Sequence, residues 1–203
     1  MLQIRPASLH DASLLRTMIR ELAEYEHELD LVTIREEDLA RDGFGDRPRF
    51  RALIAEWDGF AAGYALFFGY YSTWAGPGLF LEDLFVREAF RGRGIGTGLL
   101  AAVAQIAVEE HCYGIHWEVL DWNDKAIELY KALGATFRDQ WRPVLLSDEP
   151  LRRRAEKAPL KRVPGRTIQS DRSRLRLRGP CGLRRITATR GVCGCGWRKR
   201  IQA

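Results

Sequence analysis

The stretch from Leu81 to Leu100, LEDLFVREAFRGRGIGTGLL, constrains the fold more than any other part of the sequence. An apolar strand carries two adjacent carboxylates, Glu82 and Asp83, and is followed by a turn with glycine at every second position from Gly92 to Gly98. A strand, a glycine-rich turn and a following helix direct backbone N–H groups and the positive end of a helix dipole to one point. The stretch therefore predicts a site for a phosphate group.

The spacing of these glycines excludes two familiar phosphate loops. The dinucleotide fingerprint needs G-x-G-x-x-G, and the nucleoside-triphosphate loop needs G-x-x-x-x-G-K-[ST]. Here the third glycine comes one residue too early for the first pattern, and no Lys-Ser or Lys-Thr follows for the second. What remains at residues 91–96 is the pattern [QR]-x-x-G-x-[GA].

Periodic apolar residues on both sides of this turn predict an α/β fold with a mixed central sheet flanked by helices. Consecutive strands before the turn favour an antiparallel meander, and alternating helices and strands after it favour parallel neighbours. The predicted strands are Ile4–Pro6, Phe50–Glu56, Ala61–Tyr71, Leu79–Val86, Gly114–Trp122 and Trp141–Leu146, and the predicted helices are Ser8–Glu26, Arg35–Arg41, the glycine turn to about His111, and Asp124–Leu133.

The net charge of +5 combines two regions of opposite sign. Residues 1–156 contain 18 basic and 26 acidic residues, and we expect one folded domain there. Residues 157–203 contain 14 basic residues and one acid, with no sustained period, which predicts a disordered basic tail. Two interpretations of the tail stay open. It is either an arm that attracts nucleic-acid phosphates non-specifically, or a terminus without selected function, such as an out-of-frame or read-through sequence.

The sequence also lacks the signals of a membrane protein, a secreted protein or a metal site. No apolar run approaches the roughly 18 to 20 residues that cross a bilayer, and the first residues are too polar for a secretory signal. Only Cys112 among the four cysteines falls in the first 150 residues, which fits a reducing compartment. The tail cysteines of CGCGW lack the spacing of a zinc site. We therefore expect a cytoplasmic protein with no membrane span and no metal.

The two carboxylates in the apolar strand need an explanation of their own. Adjacent side chains in a strand point to opposite faces, so one of Glu82 and Asp83 should point inward. An inward carboxylate costs several kcal/mol unless it is paired or hydrated. The carboxylate either forms a structural ion pair, or accepts a cationic amine and removes its proton.

Five motifs follow one another along residues 2–146: ELAEYEHELDLVTIREEDLARDGFGDRPRFRALIAE, GYALFFGYYSTW, LFLEDLFVREAFRGRGIG, WNDKAIELYKALGA and the closing WR. In order and spacing they resemble the GCN5-related N-acetyltransferase (GNAT) superfamily, and within it the diamine acetyltransferases of the spermidine/spermine N1-acetyltransferase group. The resemblance implies a GNAT fold, acetyl-CoA as co-substrate, a small amine as acceptor and a homodimer.

The resemblance also assigns residues to roles. It implies Glu82 as the general base and Tyr130 as the acid that protonates the leaving CoA thiolate. The acetyl-CoA contacts that it implies are Leu84, Phe85, Val86, Arg91, Gly92, Arg93, Gly94, Ile95, Gly96, Thr97 and Asn123, and the amine contacts are Tyr25, Glu26, Trp74, Glu82 and Asp83.

The choice of amine is less constrained than the reaction. The excess of eight acids over bases in residues 1–156 attracts small cations. Polyamine-specific members carry an acidic residue and a proline before the tryptophan, where this chain has Tyr71, Ser72 and Thr73. A diamine or polyamine is the expected acceptor, and the alternatives are a thialysine-like amino acid or a protein. A nucleic-acid-binding protein acting through its tail is the alternative from another class.

Overall fold

The computed structural model describes residues 1–159, so the predicted tail lies outside the described residues from residue 160 onward. Met1–Arg138 forms one compact unit, and a second unit begins at Asp139. The strands are β1 (Leu2–Pro6), β2 (Arg51–Trp57), β3 (Phe60–Ser72), β4 (Gly76–Val86) and β5 (Ile115–His116), and the α-helices are α1 (Ala12–Tyr25), α2 (Glu36–Phe44), α3 (Ile95–Glu109), α4 (Asp124–Ala132) and α5 (Asp148–Glu156).

The five strands form one mixed sheet in the order β1-β2-β3-β4-β5. The first four strands pair antiparallel, and β5 runs parallel to β4. The predicted meander and the predicted parallel neighbour are both confirmed. The parallel pair arises because α3 carries the chain from the end of β4 back to the level at which β4 began.

Two apolar clusters cover the two faces of the sheet. On one face, Leu15, Met18 and Leu22 of α1 and Leu39 of α2 pack with Ile54, Tyr64 and Phe85 of the strands. On the other face, Leu99 and Val103 of α3 and Ala126 and Tyr130 of α4 pack with Phe67, Leu79, Leu81, Leu84 and Val86. Helices therefore flank the sheet on both sides, as predicted.

Two of the strand predictions are wrong, one in its extent and the other altogether. The predicted strand Gly114–Trp122 pairs only over Ile115–His116, because β4 is bulged just beyond Phe80 and a bulge disrupts the ladder. Residues 141–146 form no strand in the described part of the chain, and Pro143 among them has no N–H to donate to a ladder.

Helix α5 belongs to the second unit and was not predicted. Its start carries ordinary helix signals, with Ser147 as the N-cap and Asp148 and Glu149 in the first turn. The boundary at residue 156 between a domain and a tail stays a prediction. No helix within residues 1–159 combines the length and the apolar character that a bilayer span requires.

Candidate active site

A β-bulge in β4 sets the directions of the two carboxylates. Leu66 of β3 lies opposite Asp83 and the next residue, Phe67, lies opposite Leu81, so Glu82 is the extra residue of β4. At the bulge the alternation of side chains between the two faces of the sheet shifts by one residue. Leu81 and Leu84 therefore both pack in the cluster beneath α3. Glu82 and Asp83 therefore share the opposite face of the sheet. The expectation of opposite faces is wrong, because it assumed a regular strand.

The two carboxylates differ in their surroundings although they share a face. Asp83 is 4% exposed, and the Tyr64 hydroxyl donates a hydrogen bond of 2.9 Å to its Oδ2. Tyr64 itself belongs to the cluster under α1 and α2. Glu82 is only half-buried. Of the two groups, Glu82 is the one that a small molecule from solution can reach.

The glycine-rich turn has the geometry that its sequence predicts. Gly92 and Gly94 both have φ of +74°, a left-handed conformation that favours glycine. Gly94 is the N-cap of α3, and helix geometry leaves the N–H groups of Ile95, Gly96 and Thr97 without helical acceptors. The guanidinium of Arg93 lies 5.3 Å from the Trp57 ring centroid. The turn thus combines free backbone donors with a helix dipole, which suits an anionic group.

Arg91 and Tyr25 connect this turn to two other elements. The Arg91 guanidinium lies 5.0 Å from the Tyr25 ring centroid, and its Nε donates to the Val86 carbonyl at 3.0 Å. The Tyr25 ring in turn lies 5.7 Å from that of Trp122. Asn123 follows Trp122 and caps α4, where its side chain accepts from the Ala126 N–H. The structure therefore brings together the end of α1, the glycine turn and the start of α4.

A groove of about 420 Å³ opens between α1 and the end of β4. Arg87 lines this groove and donates to both carboxylate oxygens of Glu21, at 2.7 and 2.8 Å. This ion pair fixes the end of α1 against β4. Glu21 and Arg87 were missed, because a charged residue on the polar side of α1 carries no signal of its partner. The groove is lined by Glu21, Glu24, Tyr25, Phe85, Arg87, Glu88 and Arg91.

The edge of β4 toward β5 is open beside the carboxylates. In the described residues the β4–β5 ladder comprises the pairs Leu79–Ile115 and Phe80–His116, and it does not continue to Leu84. Backbone groups of residues 84–86 on that side therefore have no strand neighbour. Such an edge can hold an extended chain by β-type hydrogen bonds.

Tyr130 of α4 carries a buried hydroxyl for which the described residues provide no hydrogen-bond partner. The side chain is 1% exposed, and its ring packs edge-on against Trp117 at 5.3 Å. Burial raises the pKa of Tyr130, so the hydroxyl keeps its proton at neutral pH. A buried polar group without a partner is uncommon and calls for an explanation, and a bound ligand supplies one. The open β4 edge, the glycine turn and this hydroxyl together fit acetyl-CoA.

The remaining predicted amine contacts lie at different distances from this site. Glu26 is buried directly after the last residue of α1, next to Tyr25. Trp74 is 91% exposed in the turn between β3 and β4, roughly 25 Å along the strand from Glu82. The structure does not bring Trp74 to the other predicted site residues of the same chain. Residues 1–159 contain no group of side chains suited to a metal ion.

Comparison with known proteins agrees with this geometry. A family model described as the acetyltransferase (GNAT) family matches residues 14–135. The chain belongs to the GNAT family. The resemblance seen in the sequence is confirmed, and the protein is an acetyl-CoA-dependent N-acetyltransferase.

Individual relatives of this GNAT chain include amino-acid and polyamine enzymes by name. The chain is 41% identical over 165 residues to the thialysine N-epsilon-acetyltransferase of Sus scrofa. The alignment covers 76% of this chain and 97% of that protein. The chain is 39% identical to the human spermidine/spermine N(1)-acetyltransferase-like protein 1, over 66% of this chain and 20% of that protein. The aminoglycoside N-acetyltransferase AAC(6')-Iy, solved with CoA, shares the fold with a TM-score of 0.57 at 21% identity, over 73% and 95% of the two chains.

Proposed function

We propose that the protein transfers the acetyl group of acetyl-CoA to the primary amine of a small diamine, by direct attack within a ternary complex. The observation that carries this proposal is the bulge at Glu82. It places an accessible carboxylate directly before the stretch of β4 that β5 leaves open. A base and a binding edge for an extended cofactor therefore adjoin each other.

Residues of three elements would hold the cofactor. The N–H groups of Ile95, Gly96 and Thr97 would bind the pyrophosphate, with Arg91 beside them. The open edge at residues 84–86 would pair with the pantetheine arm. Asn123 would contribute at the start of α4. Acetyl-CoA supplies the thioester whose carbonyl carbon the amine attacks.

Glu82 and Tyr130 divide the proton transfers. A protonated amine has no lone pair for attack, so Glu82 takes its proton, directly or through a water molecule. As the new C–N bond forms and the C–S bond breaks, the Tyr130 hydroxyl donates its proton to the departing sulfur, and the second proton that the nitrogen loses returns through water to the Tyr130 oxygen. At neutral pH the Tyr130 hydroxyl carries the proton that it donates, and burial, which raises the pKa of Tyr130, stabilises that protonated form.

An ω-amino acid is a second candidate acceptor. The excess of acids over bases in residues 1–156 favours a cation, and a diamine carries more positive charge than an amino acid. The name of the porcine relative, thialysine N-epsilon-acetyltransferase, favours the amino acid instead. Both acceptors present a primary amine on a short chain.

We also propose that the protein is a homodimer and that it is located in the cytoplasm. Light scattering would test the first proposal and cell fractionation the second.

Steady-state acetylation of a panel of putrescine, spermidine, thialysine and lysine tests the proposal as a whole. We expect acetyl-CoA consumption with at least one of these amines and formation of the N-acetylated product by mass spectrometry. If no primary amine in the panel is acetylated, the proposed function is wrong.

Replacing the proposed base tests the role of Glu82. Glu82→Gln keeps the size of the side chain but cannot accept a proton, so kcat should fall about 100-fold or more. Acetyl-CoA affinity, measured by calorimetry, should stay within about twofold because the base does not bind the cofactor. Glu37→Gln on the exposed surface of α2 removes the same charge and should leave kcat unchanged. Equal activities of the two variants would remove Glu82 from the mechanism.

Replacing the proposed acid tests Tyr130 in the same way. Tyr130→Phe keeps the ring against Trp117 and removes only the hydroxyl. We expect kcat to fall about 100-fold with little change in acetyl-CoA affinity. A variant that folds, binds acetyl-CoA and turns over at the normal rate would show that another group protonates the sulfur.

A further inference from the structure

Tyr25 lies at the centre of a row of three side chains beside the glycine turn. The Arg91 guanidinium is 5.0 Å from the Tyr25 ring centroid, and the Tyr25 ring is 5.7 Å from the ring of Trp122. Tyr25 is the last residue of α1, and Trp122 directly precedes Asn123, the N-cap of α4. Tyr25 and Arg91 are half-buried, and Trp122 is exposed. The contacts of the Tyr25 ring are therefore with the side of the site that is proposed to bind acetyl-CoA.

The groove that Arg91 lines also contains carboxylates that compete for its charge. Glu24 and Glu88 both line this groove, and neither forms an ion pair within residues 1–159. The third acid of the groove, Glu21, is already paired with Arg87. An arginine side chain has many rotamers and loses up to about 2 kcal/mol of rotamer entropy when it is fixed. Arg91 therefore needs specific contacts to stay at the glycine turn.

Two contacts hold Arg91 without neutralising its charge. Its Nε donates to the Val86 carbonyl at 3.0 Å. The Tyr25 ring attracts the guanidinium through the negative face of its π-system, and this attraction uses no N–H donor. A carboxylate partner would instead cancel the charge that a phosphate group requires. The Tyr25 ring thus prepares Arg91 for an anion at the turn, and a prepared side chain binds more tightly because less entropy is lost on binding.

We propose that Tyr25 is a positioning residue for the pyrophosphate of acetyl-CoA, and that its ring acts by holding the Arg91 guanidinium at the glycine turn. This inference rests on the proposed function, in which Arg91 lies beside the pyrophosphate. It replaces the amine contact that the resemblance implies for Tyr25. The role belongs to the aromatic ring, so the Tyr25 hydroxyl is not required for it.

The affinity for acetyl-CoA in the absence of any amine separates the two roles of Tyr25. In Tyr25→Leu the full-length protein should bind acetyl-CoA with a Kd about fivefold higher, measured by calorimetry, because the cation–π contact is lost. Tyr25→Phe keeps the ring and should bring the Kd back to within about twofold of the wild-type value. Tyr71→Leu is the matched control, since Tyr71 is 71% exposed on β3 and lies outside the site. It should leave the Kd unchanged.

A double-mutant cycle shows whether Tyr25 acts through Arg91. Arg91→Met removes the charge and keeps a long side chain, and it should raise the Kd for acetyl-CoA about tenfold. Adding Tyr25→Leu to Arg91→Met should raise the Kd no further, because the ring then has no cation to hold. A general structural defect would instead add to the effect of Arg91→Met. Thermal unfolding confirms that each variant is folded.

Steady-state kinetics give a second readout of the same role. In Tyr25→Leu, KM for acetyl-CoA should rise about fivefold. At saturating acetyl-CoA, kcat and KM for putrescine should stay within about twofold of the wild-type values, since the amine does not contact the ring. A rise in KM for putrescine with an unchanged KM for acetyl-CoA would show that Tyr25 contacts the amine, and it would overturn the inference.

Removing the two carboxylates tests what the ring holds Arg91 against. The paired change Glu24→Gln and Glu88→Gln takes two negative charges from the groove, so it should tighten acetyl-CoA binding in any background. The gain should be about threefold larger in Tyr25→Leu than in the wild type, because only there are the carboxylates able to draw Arg91 away. Equal gains in the two backgrounds would overturn the inference.

The remaining outcomes separate this inference from the proposed function. If the wild-type protein does not bind acetyl-CoA, the proposed function fails. If Arg91→Met binds acetyl-CoA normally, the proposed pyrophosphate contact of Arg91 fails and the role of Tyr25 fails with it. If Arg91→Met binds weakly but Tyr25→Leu binds normally, or if Tyr25→Phe is as weak as Tyr25→Leu, the role of the Tyr25 ring is overturned while the acetyltransferase function stands.

Discussion

The β3–β4 ladder has two halves that use the same residue types for different purposes. The inner half, residues 63–66 paired with 83–86, lies under α1 and α2. The outer half, residues 68–70 paired with 78–80, carries Phe68, Tyr70 and Phe80. In the inner half the Tyr64 hydroxyl donates a hydrogen bond to the buried Asp83, and in the outer half Tyr70 is only partly buried. A tyrosine that is covered holds the backbone in place, and a tyrosine that is open can recognise a ligand.

Glu82 marks the boundary between these halves. The bulge that makes it the extra residue lies between the pair Leu66–Asp83 and the pair Phe67–Leu81. The hydrogen bond from Tyr64 to Asp83 fixes the residue next to the bulge from the covered side. Glu82 therefore stands on a rigid support while its own carboxylate stays accessible, which is what a positioned base requires.

The strongest test of the comparison adds a methyl group to each half. A Cβ at Gly63 would lie 2.3 Å from the Phe85 carbonyl oxygen, whereas a Cβ at Gly69 of the same strand would meet nothing within 4 Å. Because backbone cannot move aside as a side chain can, Gly63→Ala should lower the free energy of unfolding by about 3 kcal/mol. Gly69→Ala should be neutral or slightly stabilising. Urea denaturation measures both, and equal effects would mean that the inner half is no more tightly packed than the outer.

A smaller effect is expected from removing one hydroxyl in each half. Tyr64→Phe keeps the ring packed but takes a hydrogen bond from the buried Asp83, which should cost about 1 to 3 kcal/mol. Tyr70→Phe removes a hydroxyl near the surface and should cost less than about 0.5 kcal/mol. Thermal unfolding of the two variants compares them directly. If Tyr70→Phe were the more destabilising, the outer half would be the structural one.

Much of the inner half could be predicted from the sequence. The apolar alternation of β3 and β4 and the glycine turn after Val86 are local signals, and they placed the strands, the helix α3 and the left-handed turn correctly. The bulge could not be predicted, because it depends on how β3 and β4 pair across the ladder. As a consequence, the sequence predicted the two carboxylates but not their common face.

The outer half and the region after it were harder to predict for a related reason. Tyr70 lies in β3, His116 in β5 and Tyr113 in the loop between α3 and β5, and each alone looks like an ordinary aromatic residue. The shortness of β5 follows from the shape of β4 rather than from its own apolar sequence. The pairing of Arg87 with Glu21 likewise spans 66 residues and leaves no local pattern. The features that could not be predicted depend on partners distant in the sequence, and local propensity carries no signal for such partners.

The smallest expected effect concerns the pH dependence of stability in the outer half. Burial and Arg138 lower the pKa of His116 in the folded protein below the ordinary value of about 6.5 that holds when it is unfolded. Below that pH the unfolded chain takes up a proton that the folded chain resists, so stability should fall as the pH falls below about 6.5. His116→Phe should remove part of this loss, measured as a smaller drop in Tm between pH 7.5 and pH 5.5. His10→Gln, in an exposed turn, should keep the full drop. An unchanged drop in His116→Phe would show that His116 is not the group that resists protonation.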